Sequence, residues 1–220
     1  MDSEFWIERW QRNEIGFHQI QVNPYLKQFW SALIPYPQAT VFVPLCGRSQ
    51  DMVWLQQRGH SVLGVELSLI AVQDFFVEQR LVPTRQEVDG FVIFESPGYK
   101  IYCGDYFALK PRHLGQIAAV YDRASLVALP PPLRIQYAQH MVRLTPPDTR
   151  TLLVAIDYPA EQMAGPPFAV SDSEICALYG DTFTVQNLRV HDALQDNPRF
   201  IERGLTRLDE RVYSLRRLDK

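Results

Sequence analysis

The sequence lacks an excess of basic residues, a long apolar run and a basic leader. It carries 22 Lys and Arg against 25 Asp and Glu, a net charge of -3, so it has no basic footprint for a nucleic acid. No apolar stretch approaches the ~18 residues of a membrane span, and the opening MDSEFWIERW has acids where a signal peptide has basic residues. We therefore expect a cytoplasmic protein that binds neither nucleic acid nor membrane. No heptad pattern indicates more than a monomer.

Cysteine and histidine are also scarce, and their spacing does not match the usual metal motifs. The three cysteines, Cys46, Cys103 and Cys176, are far apart and odd in number, which favours reduced thiols in a cytosolic protein. The five histidines never fall at H-x-x-x-H spacing, and no C-x-x-C is present. We therefore expect no metal site.

Glycine is sparse where nucleotide-binding proteins need it. Residues 44–49, PLCGRS, follow a short apolar run and contain one glycine, whereas a nicotinamide dinucleotide site needs G-x-G-x-x-G for the close approach of the diphosphate. No G-x-x-x-x-G-K-[ST] motif is present to bind a nucleoside triphosphate. A turn with a single glycine favours an adenosine cofactor without phosphate, such as S-adenosylmethionine.

The sequence does contain a βαβ unit, over residues 40–66. An apolar run at 41–45 is typical of a buried strand, Ser49 stands at the N-cap of a predicted helix, and Gly59 follows its end. A second apolar run ends at Glu66, about 20 residues after the turn. At this spacing an acidic residue accepts hydrogen bonds from a ribose diol. Gly47 lets the backbone approach a ligand. The pattern predicts that Gly47 and Glu66 bind the cofactor; the alternative is a plain turn and a solvated strand end.

Two more polar pairs follow predicted strands. Asp105 and Tyr106 come after a predicted hairpin (91–94 and 99–103), where they would contact the adenine amine and ring; alternatively, Asp105 caps the next turn. Asp122 and Arg123 end a buried run at 117–121. Charges there are costly unless paired or used, so we expect Arg123 to contact cofactor or substrate and Asp122 to orient it, with a structural ion pair as the alternative.

The remaining segments complete one α/β domain with a sizeable core. Residues 1–38 are interpreted as a helical lid, with Trp6 and Trp10 on one face of a helix over 3–17, or as simple core packing; residues 39–220 are interpreted as a Rossmann-like core. Phe168, at the apolar tip of a loop over 158–171, is predicted to wall a pocket for a flat aromatic substrate. Strands at 183–190 and 211–215 are expected to pair antiparallel, with a loop over 191–204.

From about residue 6 to residue 213 the sequence resembles the thiopurine S-methyltransferase family. The resemblance rests on VFVPLCGRSQDMVWLQQRGHSVLGVELS, on Asp122-Arg123 after an apolar strand and on the GPPF loop. It also rests on Trp6, Trp10 and Phe17-His18 ahead of the first strand. The short N-terminus and the LPPPLR turn are similar to the bacterial branch.

The resemblance implies a fold and a set of site residues. The fold is α/β, that of a class I S-adenosylmethionine-dependent methyltransferase, with a Rossmann-like, seven-stranded, mostly parallel sheet and an antiparallel C-terminal strand. The positions that match cofactor contacts are Trp10, Leu45, Glu66 and Arg123, and the segment Asp105-Tyr106 matches the adenine contact. The positions that match the substrate region are Phe17 and Arg199.

The resemblance also implies a reaction: S-methylation of aromatic or heterocyclic thiols such as thiopurines, with S-adenosylhomocysteine as the product of the cofactor. Methylation of selenium or tellurium compounds is also associated with the bacterial branch. We expect binding and positioning to carry catalysis, with no indispensable acid or base. The alternatives are a methyltransferase of the same fold that acts on another small nucleophile, and a nicotinamide-dependent oxidoreductase.

Overall fold

The computed structural model describes residues 3–35 and 37–219, and the chain clusters into two compact units, one reaching to Tyr121 and one beginning at Asp122. The helices of the first unit are α1 (Ser3–Gln11), α2 (Pro24–Leu33), α3 (Gln50–Gln57), α4 (Leu69–Glu78) and α5 (Pro111–Leu114). Its strands are β1 (Thr40–Val43), β2 (Ser61–Glu66), β3 (Thr84–Val88), β4 (Phe91–Ser96), β5 (Tyr99–Cys103) and β6 (Ala119–Arg123), whose last two residues belong to the second unit.

The first unit has a mixed sheet in the order β3-β4-β5-β2-β1-β6. Strand β1 pairs parallel with β2 and with β6, and β2 pairs parallel with β5, whereas β3, β4 and β5 are antiparallel. Strands β1 and β2 are buried almost throughout, as expected for parallel strands covered on both faces. The carboxyl ends of these parallel strands lie at one edge, where α/β proteins bind ligands.

The predicted βαβ unit is confirmed. Ser49 caps α3 by accepting a hydrogen bond from the backbone N–H of Asp51, and Gly59 follows the helix with φ = 89°. The predicted hairpin is confirmed as β4 and β5.

The N-terminal helix is shorter than the predicted 3–17, because α1 ends at Gln11 and Asn13 takes a left-handed φ of 54°. A buried polar network then anchors the chain that follows. Asp51 accepts hydrogen bonds from the backbone N–H of Asn23 at 2.7 Å and from the Tyr121 hydroxyl at 2.8 Å. The Asn23 side chain in turn caps α2.

The second unit contains helices α6 (Pro131–Leu144), α7 (Asp172–Tyr179) and α8 (Pro198–Glu202) and strands β7 (Arg150–Asp157), β8 (Phe183–Asp192) and β9 (Asp209–Arg217). Strand β9 pairs antiparallel with β7 and with β8, which confirms the predicted antiparallel pair. The loop predicted over 191–204 is wrong at α8. Phe200 buries its ring in a cluster with Tyr158 and Met163, and this packing stabilises one short helix.

Seven strands were expected, whereas the described residues form nine. The hairpin strand β4 was predicted, but β3 was not. All five residues of β3 are exposed, so its sequence TRQEV has no apolar alternation that would indicate a strand. In the described ranges, no helix has the length and apolar character needed to cross a bilayer.

Candidate active site

The turn between β1 and α3 contains two residues in the left-handed region. Leu45 has φ = 45° and Gly47 has φ = 52°. This region costs a non-glycine residue about 1–2 kcal/mol, and such residues cluster at ligand sites. Cys46 between them is buried, and its N–H donates to the carbonyl of Val65 at 3.0 Å. The turn is therefore tied to β2 one residue before that strand ends at Glu66.

Glu66 is a buried carboxylate at the carboxyl end of β2, with 7% of its surface exposed. Its Oε2 atom accepts a hydrogen bond from the Gly47 N–H at 2.9 Å, and Oε1 accepts one from the Ser68 N–H at 2.8 Å. A carboxylate can accept about four hydrogen bonds, so Glu66 keeps capacity for a hydroxyl donor beside its backbone donors. Glu66 and Gly47, both predicted from the sequence, are therefore in direct contact.

Burial raises the pKa of two side chains at this turn, those of Glu66 and Cys46. It raises the pKa of Glu66 above its ordinary value, although the N–H groups of Ser68, Gly47 and Leu67 act in the opposite direction. Burial also raises the pKa of the Cys46 thiol well above its ordinary value, and the charge of Glu66 adds to this effect. Cys46 is therefore a protonated packing residue at neutral pH and a poor nucleophile.

An aromatic cluster from the N-terminal segment lies against the same turn. A Cβ atom on Gly47 would lie 3.2 Å from Cζ2 of Trp10, so glycine allows this close approach. The buried Trp10 ring meets Phe17 edge to face at 5.6 Å, and Phe17 meets Trp6 in the same way at 5.6 Å. The guanidinium of Arg48 lies 5.9 Å from the centre of the Trp10 ring. Trp10, Gly47 and Phe17, which the sequence singled out separately, thus form one group.

The segment after β5 also approaches Glu66, because the N–H of Gly104 donates to the Glu66 carbonyl at 2.9 Å. Asp105 is exposed and caps a short 3-10 turn, Tyr106–Ala108, by accepting from the Phe107 N–H at 2.9 Å. The alternative that Asp105 caps a turn is therefore confirmed. Tyr106 is buried. The adenine contacts of both residues stay predictions.

These residues fit an adenosine cofactor. The buried carboxylate of Glu66 supplies acceptors of the kind that a ribose diol needs, and Gly47 keeps the adjacent backbone free of a side chain. Leu45 belongs to the same turn, Trp10 lies against Gly47, and the backbone of Gly104 is hydrogen-bonded to Glu66. Glu66 would hold the ribose, while Trp10 and Leu45 would supply apolar contacts.

The second unit holds Asp122 and Arg123. The Asp122 carboxylate is only 2% exposed, and its Oδ2 atom accepts from the Tyr137 hydroxyl of α6 at 2.6 Å. Burial raises the pKa of Asp122 to about 6, against the lowering effect of Tyr137 and Ser125. Arg123 is half-buried at the end of β6, and Ala124 after it has φ = 66°. A contact of Arg123 or Asp122 with cofactor or substrate stays a prediction.

Phe168 and Arg199 also lie in the second unit. Phe168 is half-buried on the loop between β7 and α7, and its N–H donates to the carbonyl of Val127 at 2.7 Å. Arg199 lies on α8, with its guanidinium carbon 4.9 Å from the centre of the Phe200 ring. Burial and the neighbouring charge of Arg203 both lower the pKa of Arg199. The substrate contacts of Phe168 and Arg199 stay predictions.

Sequence reasoning missed three residues that support these groups: Ser68, Arg48 and Tyr137. Ser68 could have been found, because a serine directly before the apolar run of α4 is a typical N-cap, and it caps that helix. Arg48 pairs with Asp74 and Glu78 of α4 at 3.1 and 3.0 Å, contacts that no local pattern indicates.

Over residues 3–35 and 37–219 no group of His, Cys, Asp and Glu could hold a metal ion.

Comparison with known proteins assigns the sequence to one family. The family model described as Thiopurine S-methyltransferase (TPMT) matches residues 1–218. A protein named thiopurine S-methyltransferase from Nitrosospira multiformis is 49% identical over 215 residues, covering 98% of both chains. One of the same name from Azotobacter vinelandii is 48% identical over 217 residues, covering 99% of this chain and 100% of the relative.

Solved structures agree on the fold. The 1,6-didemethyltoxoflavin-N1-methyltransferase of Burkholderia thailandensis, solved with 1,6-didemethyltoxoflavin and S-adenosylhomocysteine, matches with a TM-score of 0.67 at 15% identity, covering 99% of this chain and 87% of that one. A geranyl diphosphate C-methyltransferase from Streptomyces coelicolor, also solved with S-adenosylhomocysteine, matches with a TM-score of 0.61 at 14% identity, covering 88% and 76%. The predicted class I methyltransferase fold is confirmed. This chain belongs to the thiopurine S-methyltransferase family and is an S-adenosylmethionine-dependent methyltransferase.

Proposed function

We propose that this enzyme transfers a methyl group from S-adenosylmethionine to the sulfur of aromatic or heterocyclic thiols such as thiopurines. The use of S-adenosylmethionine is supported by the buried Glu66 carboxylate, which accepts a hydrogen bond from the Gly47 N–H at the carboxyl end of β2. The proposed thiol substrates are supported by the names of relatives that are 44–49% identical over almost the whole chain.

The bound cofactor supplies an electrophilic methyl group on a positively charged sulfonium. The protein's own residues bind and orient. Glu66 would accept hydrogen bonds from the ribose hydroxyls, and its backbone N–H partners, among them those of Gly47 and Ser68, keep the carboxylate in one orientation. Trp10 lies against Gly47 and packs on Phe17, which packs on Trp6, and we propose that this aromatic cluster excludes water from that side.

No protein base is needed in this proposal. An aromatic heterocyclic thiol is readily ionised near neutral pH, so the sulfur arrives as a nucleophile. Correct orientation of two reactants can contribute on the order of 7–11 kcal/mol, which leaves catalysis to positioning. We propose that Arg123 and Arg199 bind the substrate and that Phe17 and Phe168 contact its ring.

The cellular setting is part of the proposal. We propose a cytoplasmic monomer, an assignment that the free thiols of Cys46, Cys103 and Cys176 support, because oxidising compartments favour disulfides. Selenium or tellurium oxyanions are proposed as secondary substrates, on the resemblance to the bacterial branch alone.

A substrate panel tests the proposal. The purified enzyme is incubated with S-adenosylmethionine and 6-mercaptopurine, thiophenol, 2-mercaptoethanol, selenite or tellurite, and S-adenosylhomocysteine release is followed. Turnover of the two aromatic thiols well above 2-mercaptoethanol is expected. Equal rates on all thiols would contradict the aromatic selectivity, and turnover of none would contradict the proposed substrate class.

A further inference from the structure

The loop that carries Phe168 is anchored on both sides of that residue. We define the Phe168 loop as residues 165–170. The Tyr158 hydroxyl donates to the Pro167 carbonyl at 2.6 Å, and the Phe168 N–H donates to a carbonyl of the segment after β6 at 2.7 Å. The Val170 N–H donates to the Ile156 carbonyl at 2.8 Å. Three bonds in four residues give this loop one backbone position.

The Phe168 ring is also held. A Cβ atom built on Gly165 would lie 2.4 Å from Cδ1 of Phe168, so the ring packs directly over the glycine. Gly165 has φ = 76°, a conformation that glycine adopts at little cost. The absence of a side chain at Gly165 makes space for the half-buried Phe168 ring, and the anchored backbone fixes its position.

The fourth anchor is Arg134, on the first turns of α6. Its Nη1 atom donates to the Ala169 carbonyl at 2.9 Å and pairs with Glu174 of α7 at 2.8 Å. The side chain is only 2% exposed, which is rare for arginine. A buried guanidinium is costly unless it is paired and hydrogen-bonded, and here Nη1 has both an ion-pair partner and a carbonyl acceptor. The charge therefore joins the Phe168 loop to two helices.

One helical turn further along α6 stands Tyr137, which binds Asp122 next to Arg123. Residues three apart on a helix lie on the same face. One face of α6 therefore holds two of the segments that were predicted from sequence to meet the substrate.

We infer that Arg134 is a positioning residue for substrate selectivity: it fixes the Phe168 loop, so that the Phe168 ring favours flat aromatic thiols over aliphatic ones. This inference rests on the proposed function, since it assigns the substrate contact to Phe168. Arg134 acts through Ala169 and Phe168 and does not itself touch the reacting atoms.

The test compares Arg134→Met with Arg143→Met, a control on the same helix whose arginine contacts His140 and not the loop. For Arg134→Met, the KM for 6-mercaptopurine is expected to rise about tenfold, while kcat/KM for 2-mercaptoethanol and the Kd for S-adenosylhomocysteine change less than about twofold. Arg134→Lys keeps the charge and is expected to recover part of the loss. Arg143→Met should match the wild type.

Amide hydrogen exchange gives a second readout that needs no substrate. Exchange at Phe168 and Val170 is expected to be at least about tenfold faster in Arg134→Met, with β9 unchanged. If Arg134→Met does not fold, Tyr158→Phe removes the hydroxyl bound to Pro167 and is expected to show the same pattern of KM and exchange. An equal loss on both thiols, or unchanged exchange in the loop, would overturn the inference. Absence of wild-type turnover on aromatic thiols would instead refute the proposed function.

Discussion

Replacing Gly64, in the middle of β2, is expected to destabilise the protein because of one sulfur atom. A Cβ atom at Gly64 would lie 2.7 Å from Sγ of Cys46 and 3.4 Å from Cγ1 of Ile101. Non-bonded carbon atoms prefer about 3.5–4.0 Å, so the new methyl group overlaps the sulfur by roughly 1 Å. Cys46 cannot easily retreat, because it is buried and its N–H is bonded to Val65.

The expected magnitude for Gly64→Ala follows from two opposing terms. Overpacking a buried site costs about 1–3 kcal/mol, whereas replacing glycine with alanine stabilises by about 0.4–1 kcal/mol through the unfolded chain. The clash wins, and the free energy of unfolding should fall by about 1–2 kcal/mol. Because Cys46 adjoins Gly47, the affinity for S-adenosylhomocysteine should fall as well, by about fivefold to tenfold.

A double-mutant cycle checks the cause. Cys46→Ala alone leaves a small cavity and should cost about 1 kcal/mol. When Cys46→Ala and Gly64→Ala are combined, the methyl group introduced in β2 fills the space of the missing sulfur, so the stability of the double variant should lie within about 1 kcal/mol of the wild type. Urea unfolding of the four proteins measures this. A double variant that is destabilised by the sum of the two single effects would refute the reasoning.

Three further predictions concern the charges and the turn. Glu66→Gln removes a charged acceptor worth about 1.5–3 kcal/mol per hydrogen bond, so S-adenosylhomocysteine should bind about 10–150-fold more weakly by calorimetry, while the exposed control Glu87→Gln should bind normally. Gly47→Ala strains a left-handed residue and presses on Trp10, so the same titration should show weaker binding, with unchanged affinity arguing against the Trp10 contact. Burial raises the pKa of Asp122 to about 6 in the folded protein, so its neutral carboxyl group contributes its full stability below about pH 4. As the pH rises to 6 the carboxyl group ionises more readily in the unfolded chain, and that contribution to the free energy of unfolding is lost. Relative to Asp122→Asn, the wild type should lose about 3 kcal/mol over that interval, as measured by urea unfolding at each pH.

The affinity of the cofactor site should depend on pH through Glu66. Its pKa is raised by burial, so protonation begins at a higher pH than for an exposed glutamate. The affinity for S-adenosylhomocysteine should therefore fall on acidification before ordinary glutamates titrate, and Glu66→Gln should abolish that dependence. A wild-type affinity that is flat with pH would contradict a role for the ionised carboxylate.

Local signals predicted the βαβ unit over residues 40–66 well. The strand-turn-helix pattern around Gly47 and the N-cap at Ser49 are encoded within a few residues, and the structure has both. The strand β3 was missed because a fully exposed edge strand carries no apolar period. The helix α8 was missed because its stability comes from the burial of Phe200 against residues distant in sequence.

The supporting contacts could not be predicted from sequence for the same reason. Arg134 resembles any surface arginine of an amphipathic helix, and only the fold brings it to Ala169 and Glu174. Likewise, nothing in the local sequence connects Tyr137 with Asp122. Such pairs are set by tertiary packing, so a single sequence leaves them undetermined.

The most direct test of the proposed reaction is the position of the transferred methyl group. 6-Mercaptopurine is incubated with S-adenosylmethionine labelled in its methyl group, using wild type and Glu66→Gln, and the product is identified by mass spectrometry and NMR. The label is expected on sulfur, with Glu66→Gln giving the same product at a KM for the cofactor raised by about tenfold or more. Label on a ring nitrogen, or no transfer by an enzyme that still binds S-adenosylhomocysteine, would contradict S-methylation of aromatic thiols.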